Sequence, residues 1–432
     1  MLRRLVERAI AVRQGEAAAA LWSFGYFFCV LSSYYVLRPV RDEMGVAAGV
    51  ERLPWLFTGT FLAMAAAVPA FSVLAGRYPR RTLLPVVYTF FIACIVGLFA
   101  LLRSRAAPGW APAAFFIWLS VFNLFVVSVF WSFMADVWRE DQARRVFGFI
   151  AAGGSAGALA GPALTAVLAA HIEPVNLLPI AAAILAGALV CNARLRREIL
   201  VQDSGVSASR AVHDEAAVGG TALGGLTRVL RSSYLLGICV FVGLSTALAT
   251  FLYFQQAQII RAAIADPGRR TAMFAMMDLA VNVLTIGAQL FATGRLVTRF
   301  GLPHMLPVLP VLSLAGFAML AVAPTAPILV TFQVLRRAAQ YGIAGPAREM
   351  LFTVVTREEK YKAKNFIDTV VSRGGDAVSG WAFAGLTALG LEMTGVALVA
   401  LPLAAGWIAV AVYLGRRQEG LRDSVGGVRH AA

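Results

Sequence analysis

Long apolar blocks alternate along the chain with short polar breaks. An α-helix rises about 1.5 Å per residue, so about 20 apolar residues cross the roughly 30 Å hydrocarbon layer of a bilayer. Twelve blocks approach that length: 17–37, 53–75, 82–102, 111–135, 146–169, 175–193, 233–256, 272–293, 302–323, 326–350, 366–388 and 395–414. They predict an all-α membrane protein of about twelve transmembrane helices. The longest polar break, 194–232, holds Asp203-Ser-Gly and His213-Asp-Glu and reads as a flexible loop. It separates an N-terminal six-helix half, 1–193, from a C-terminal six-helix half, 233–432.

The two halves share landmarks. At an offset of 218 residues Tyr35 falls on Tyr253, Gly76-Arg77 on Gly294-Arg295, Leu84-Pro85 on Leu302-Pro303, and Arg139-Glu140-Asp141 on Arg357-Glu358-Glu359. One offset that fits four sites, each at the same end of its span, predicts two six-helix pseudo-repeats. That is the plan of major facilitator transporters, with the solute held between the halves near the bilayer midplane.

Composition and charge support the bilayer as the main solvent. Of 432 residues, 59% are hydrophobic and 14% charged, against roughly 25% charged in soluble domains. A net charge of +15 would suggest nucleic acid if the cations formed a patch, but they sit in the breaks. With the N-terminus in the cytoplasm, 26 of the 38 Lys and Arg fall in cytoplasmic segments and 8 in the opposite loops. This asymmetry predicts cytoplasmic termini, a cytoplasmic 194–232 loop and no nucleic-acid partner. Met1 to Glu16 is basic, like the start of a signal peptide. The apolar run that follows continues to Leu37 without a small-residue cleavage site, so it reads as the first span. Cys29, Cys94, Cys191 and Cys239 lie inside apolar blocks without CxxC spacing or a His partner, and read as packing residues.

Ionisable groups are costly in hydrocarbon, so those inside spans are functional candidates. In span ten, Gln333, Arg337, Gln340, Tyr341, Ala344 and Arg348 form one polar stripe, with Arg336 on the adjacent face. Arg337 lies about ten residues, or roughly 15 Å, from the outer end. In span eight, Asp278, Asn282 and Gln289 share a face. Asp278 has two readings, a proton site or the partner of Arg337. In span eleven, Asp368, Ser372, Arg373, Asp376 and Ser379 are clustered, and Arg373 with Asp376 has the i, i+3 spacing of a helical ion pair. Span one ends in Tyr34-Tyr-Val-Leu-Arg-Pro-Val-Arg-Asp42, where Tyr34, Arg38 and Arg41 share a face and Pro39 would kink or break the helix. Spans one, four, seven and ten are expected to line the solute cavity, with Arg38, Asn123, Tyr253 and Arg337 facing it. Gly153, Gly157 and Gly161 make a small-residue ridge suited to close helix packing. No catalytic constellation, metal-ligand spacing or cofactor fingerprint is legible.

Three segments carry a family resemblance. Span one ends in Tyr35-Val-Leu-Arg38-Pro-Val-Arg41-Asp42. Phe130-Trp-Ser-Phe133 is followed by Ala143-Arg-Arg-Val-Phe147. Pro346-Ala-Arg348-Glu349-Met350 leads to Lys360-Tyr-Lys362-Ala-Lys364, Ile367-Asp368 and Arg373. Together, in this order, they resemble the ATP/ADP translocase family of nucleotide transporters, with Arg41 and Arg348 where the family pattern has lysines. The resemblance implies a twelve-span exchanger of polyanionic nucleotides in the bacterial inner membrane, with ATP or ADP as substrate and no cofactor. Guanidinium groups bind phosphate bidentately, so Arg38, Arg41, Arg337, Arg348 and Arg373 suit such a substrate, and with Asn123 and Tyr253 they make up the candidate substrate-binding residues. Asp278, Asp368 and Asp376 are coupling or charge-pairing residues. The oligomeric state stays open, with a monomer sufficient. Two other readings compete: a proton-coupled exporter of a drug-like or metabolic solute, with Asp278 carrying the proton, and a non-transporting membrane receptor or assembly factor.

Overall fold

The structure, a computed structural model, describes residues 16–77, 80–104, 108–203, 232–355, 363–364 and 366–430. The basic segment before Glu16, the loop over 204–231 and the Lys360-Tyr361-Lys362 motif lie outside them. The fold is all-α, 92% helical, with no strand among the described residues. Among the described residues fourteen α-helices follow in order: α1 (Glu16–Ala47), α2 (Leu53–Arg77), α3 (Arg80–Arg103), α4 (Ala111–Val137), α5 (Glu140–Leu168), α6 (Leu177–Asp203), α7 (Ser233–Ala263), α8 (Pro267–Gly287), α9 (Gly294–Met305), α10 (Val308–Val322), α11 (Ala326–Ala339), α12 (Gly345–Leu351), α13 (Gly375–Ala388) and α14 (Met393–His430). Three π-helical segments, Ala288–Thr293, Gln340–Ala344 and Ile367–Gly374, extend α8, join α11 to α12 and precede α13.

Every expected span falls on helix, but not always on one helix. Among the described residues nine helices are long and apolar enough to cross a membrane, and a pair bent by 50° around residues 305–308 makes ten. Pro307 stands in the break, at the N-cap of α10. A separate kink lies inside α9, where Gly301 adopts φ 69°, ψ 176°, a conformation that only glycine takes without strain. The expected spans ten and eleven are broken by π segments, so the number twelve stays an expectation. α1 runs through Pro39 to Ala47 without a break.

The chain forms two compact units. The first comprises residues 1–48, 62–213 and 264–279; the second comprises 49–61, 214–263 and 280–432. Each unit therefore takes in a short segment from the other half of the sequence.

In the first unit α5 lies directly on α1. A Cβ at Gly153 would stand 2.5 Å from the Phe24 carbonyl oxygen, one at Gly157 2.5 Å from that of Phe28, and one at Gly161 2.8 Å from that of Ser32. The two parallel helices thus meet backbone to backbone every four residues, as the small-residue ridge anticipates. Aromatic packing fills the space beside them: Phe27 stacks on Phe130 at 4.2 Å, and Tyr26 meets Phe130 edge-on at 4.9 Å. Trp131 contacts Phe147 at 5.6 Å, which joins the Phe-Trp-x-Phe segment to the Ala143–Phe147 segment. In the second unit Phe254 packs on Phe383 at 5.0 Å and Phe241 on Trp407 at 5.4 Å.

Candidate functional site

The first unit gathers charge at the C-terminal third of α1. Arg38 Nε stands 3.6 Å from Asp278 Oδ2, with the Asp278 side chain 1% exposed, and the Arg38 guanidinium lies 5.8 Å from the Tyr35 ring centroid. Arg41 donates through Nε and Nη2 to Asp42 Oδ1, at 3.2 and 3.0 Å, and lies over the Phe116 ring at 4.6 Å. One turn further, Arg270 of α8 donates to both Glu43 oxygens, from Nε at 2.7 Å and from Nη2 at 2.6 Å. Its Nη1 donates to the carbonyls of Ile264 and Ala265 at 3.0 and 2.9 Å. The first half of α8 is therefore tied to the C-terminal third of α1 by two ion pairs of different quality. Asn123 stands half-buried on α4.

The second unit holds the remaining candidates. Arg348 Nη2 lies 3.5 Å from Asp368 and 3.9 Å from Glu349, and Lys364 holds Glu349 at 2.6 Å. Arg373 pairs with Asp376 at 3.7 Å, with the i, i+3 spacing expected from the sequence. Asp376 also accepts from the Thr250 hydroxyl at 3.1 Å. Tyr253, half-buried on α7, packs against Phe57 at 5.5 Å. Arg337 is half-buried on α11, whereas its neighbour Arg336 is 6% exposed. The Arg336 Nε and Nη1 have no hydrogen-bond partner among the described residues. Three residues earlier Gln333 donates to Gln256 Oε1 at 2.7 Å.

The structure thus brings together Arg38 with Asp278, Arg348 with Asp368, and Arg373 with Asp376. Asn123, Tyr253 and Arg337 belong to none of these pairs. The carboxylate that the sequence offered to Arg337 has Arg38 as an ion-pair partner. Sequence reasoning missed the Glu43–Arg270 pair, because Arg270 counted only as a loop cation and its partner lies 227 residues away. The one available signal was Glu43 itself, an acid at the end of an apolar span. Sequence reasoning also ranked Arg337 above Arg336, although Arg336 is the more buried. Among the described residues no group of three or more His, Cys, Asp or Glu could hold a metal ion.

Comparison with known proteins fits this architecture. Residues 22–264 match the family model of the Major Facilitator Superfamily. Over 435 aligned positions the chain is 22% identical to ADP,ATP carrier protein 1 of Chlamydia muridarum and 21% identical to that of Chlamydia trachomatis, covering 84% of this chain and 81% of each relative. Among solved structures, the nucleoside transporter NupG aligns with a TM-score of 0.61 at 14% identity, over 93% of this chain and 98% of its own. A bacterial homologue of the human lysosomal transporter Spinster aligns with a TM-score of 0.60 at 12% identity, over 94% and 99%. At such identities the structural likeness speaks to the fold.

Proposed function

The chain belongs to the Major Facilitator Superfamily and is a membrane transporter rather than an enzyme; from that premise we propose that it exchanges nucleotides, or other phosphorylated organic anions, across the bacterial inner membrane by alternating access. Its termini face the cytoplasm in this reading. One observation carries the substrate class: relatives named as ADP,ATP carriers align over 84% of the chain. The arginines on the translocase-like segments, Arg38, Arg41, Arg348 and Arg373, supply the matching chemistry, with Arg337 as a further anchor. Planar guanidinium forks suit phosphate oxygens, and they keep their charge at every physiological pH.

Arg38 couples binding to movement. Its 3.6 Å contact with Asp278 is longer than a hydrogen bond, so a phosphate oxygen competes for the same guanidinium on good terms. Taking Arg38 from Asp278 removes a tie between α1 and the middle of α8. A ligand shifts a conformational equilibrium only by its differential affinity for the two states, and this competition provides one. Without an anion Arg38 stays with Asp278 and the change is disfavoured, which ties movement to binding in both directions, as exchange requires.

A thermal-shift screen of the purified protein against nucleotides, organic anions and amino acids tests the substrate class. A ligand at 100 times its Kd stabilises by about 2.7 kcal/mol. ATP and ADP should raise the melting temperature and amino acids should not. A shift with another class and none with any nucleotide would overturn the reading.

A further inference from the structure

The second unit encloses a cavity of about 70 Å³ between α7, α10, the π segment Gln340–Ala344, α12 and the π segment Ile367–Gly374. Sites for drug-sized ligands run to roughly 300–1,000 Å³, so this space is too small for a nucleotide. It has room for a small inorganic anion and its water. Its polar wall consists of Ser245, Thr246, Gln340, Arg348 and Ser372, with Ala344 beside them. Each of the five polar side chains can donate a hydrogen bond, and no acidic residue is among the lining side chains. A donor-rich wall without carboxylates selects anions over cations.

Three further observations point to a ligand. The carboxylates of Asp368 and Glu349 stand 3.5 and 3.9 Å from Arg348 Nη2, beyond hydrogen-bond distance, so they do not use up its five N–H donors. The Gln340 Oε1 is buried without a hydrogen-bond partner among the described residues. An amide turned by half a revolution presents donors in the same place. π-helical segments in α-helices gather at functional sites, and here two of them contribute to the lining.

We propose that this cavity, which shares Arg348 with the nucleotide site proposed above, is a binding site for a small monovalent anion of the halide class, chloride being the natural probe. Charge sets the valence: Arg348, the single cation in the lining, is shared with Asp368 at 3.5 Å, which leaves room for one negative charge beside it and no more. Occupancy satisfies the donors on both π segments at once and so holds α12 and α13 in register with α7.

The test needs no nucleotide, so it is independent of the transport reading. The full-length protein in detergent is melted at constant ionic strength in sodium chloride, sodium bromide or sodium gluconate, whose anion is too large for the cavity. The expected result is a saturable rise in Tm with chloride and bromide but not with gluconate. Ser245→Ala combined with Ser372→Ala removes two donors without adding volume and should abolish most of the halide-dependent rise. Ala344→Leu fills the space and should abolish all of it. If Ala344→Leu fails to fold, the double alanine variant decides, provided that its Tm in gluconate stays near the wild type. Equal melting in all three salts, as water alone in the cavity would give, overturns the proposal. So does a halide rise that persists unchanged in the double variant.

Discussion

α1 and α8 meet through two ion pairs, Arg270–Glu43 near the start of α8 and Arg38–Asp278 about two turns further along it, and the pairs are built differently. Arg270 is saturated: two bonds to Glu43 at 2.6 and 2.7 Å and two backbone carbonyls at 2.9 and 3.0 Å. Arg38 approaches Asp278 at 3.6 Å, although that carboxylate is the more deeply buried of the two acids. A buried ion pair offsets its desolvation only when its geometry is good. The first pair has hydrogen-bonded geometry and the second is longer than a hydrogen bond. The difference assigns them separate roles, a clasp that holds the helices and a contact that an incoming anion can take over.

The largest effect is expected at the clasp. Arg270→Ala strands a buried carboxylate and should lower stability by about 3–5 kcal/mol, read as a fall in melting temperature. The double variant Glu43→Leu with Arg270→Leu leaves no stranded charge and should recover most of that loss. If the single and double variants melt alike, the clasp is not a buried pair in solution.

At the contact the expected change is in binding rather than folding. Arg38→Lys keeps the charge and loses the planar fork. ATP should bind about tenfold more weakly, equivalent to ~1.4 kcal/mol, with the melting temperature near the wild type. Isothermal titration in detergent reads the first and a thermal melt the second. Asp278→Asn removes the competitor for Arg38 and should tighten ATP binding by a smaller factor, about two- to threefold. A proton-coupled exporter would instead lose its coupling group in that variant, and uncouplers would no longer affect uptake. The smallest effect is expected for Arg373→Ala. Its i, i+3 pair with Asp376 is partly exposed, so the stability cost should be about 0.5 kcal/mol or less. A larger loss would mean that Arg373 has a structural role.

What the sequence revealed depended on how far apart the participating residues lie. The spans, the α5 ridge of Gly153, Gly157 and Gly161, and the Arg373–Asp376 pair rest on spacings within one helix, so periodicity finds them. The Glu43–Arg270 and Arg38–Asp278 pairs depend on which helices become neighbours, and no local pattern encodes that. The π segments are equally silent. One extra residue per turn leaves composition untouched but rotates everything beyond it. Arg336 and Arg337 illustrate the consequence. Both lie near the polar stripe, about 100° apart on the helix, and packing rather than spacing decides that Arg336 is buried and Arg337 half-buried. The Trp131–Phe147 contact gives two of the motif segments a packing reason to occur together: their rings meet edge-on.

Counterflow in reconstituted vesicles tests exchange of nucleotides most directly. Vesicles containing the protein are preloaded with ADP and offered labelled ATP outside, with and without a membrane potential and with and without an uncoupler. The account predicts ATP uptake that requires internal ADP, survives the uncoupler and falls sharply in Arg38→Lys and Arg337→Lys vesicles. Absence of ATP uptake into ADP-loaded wild-type vesicles at every membrane potential would contradict it.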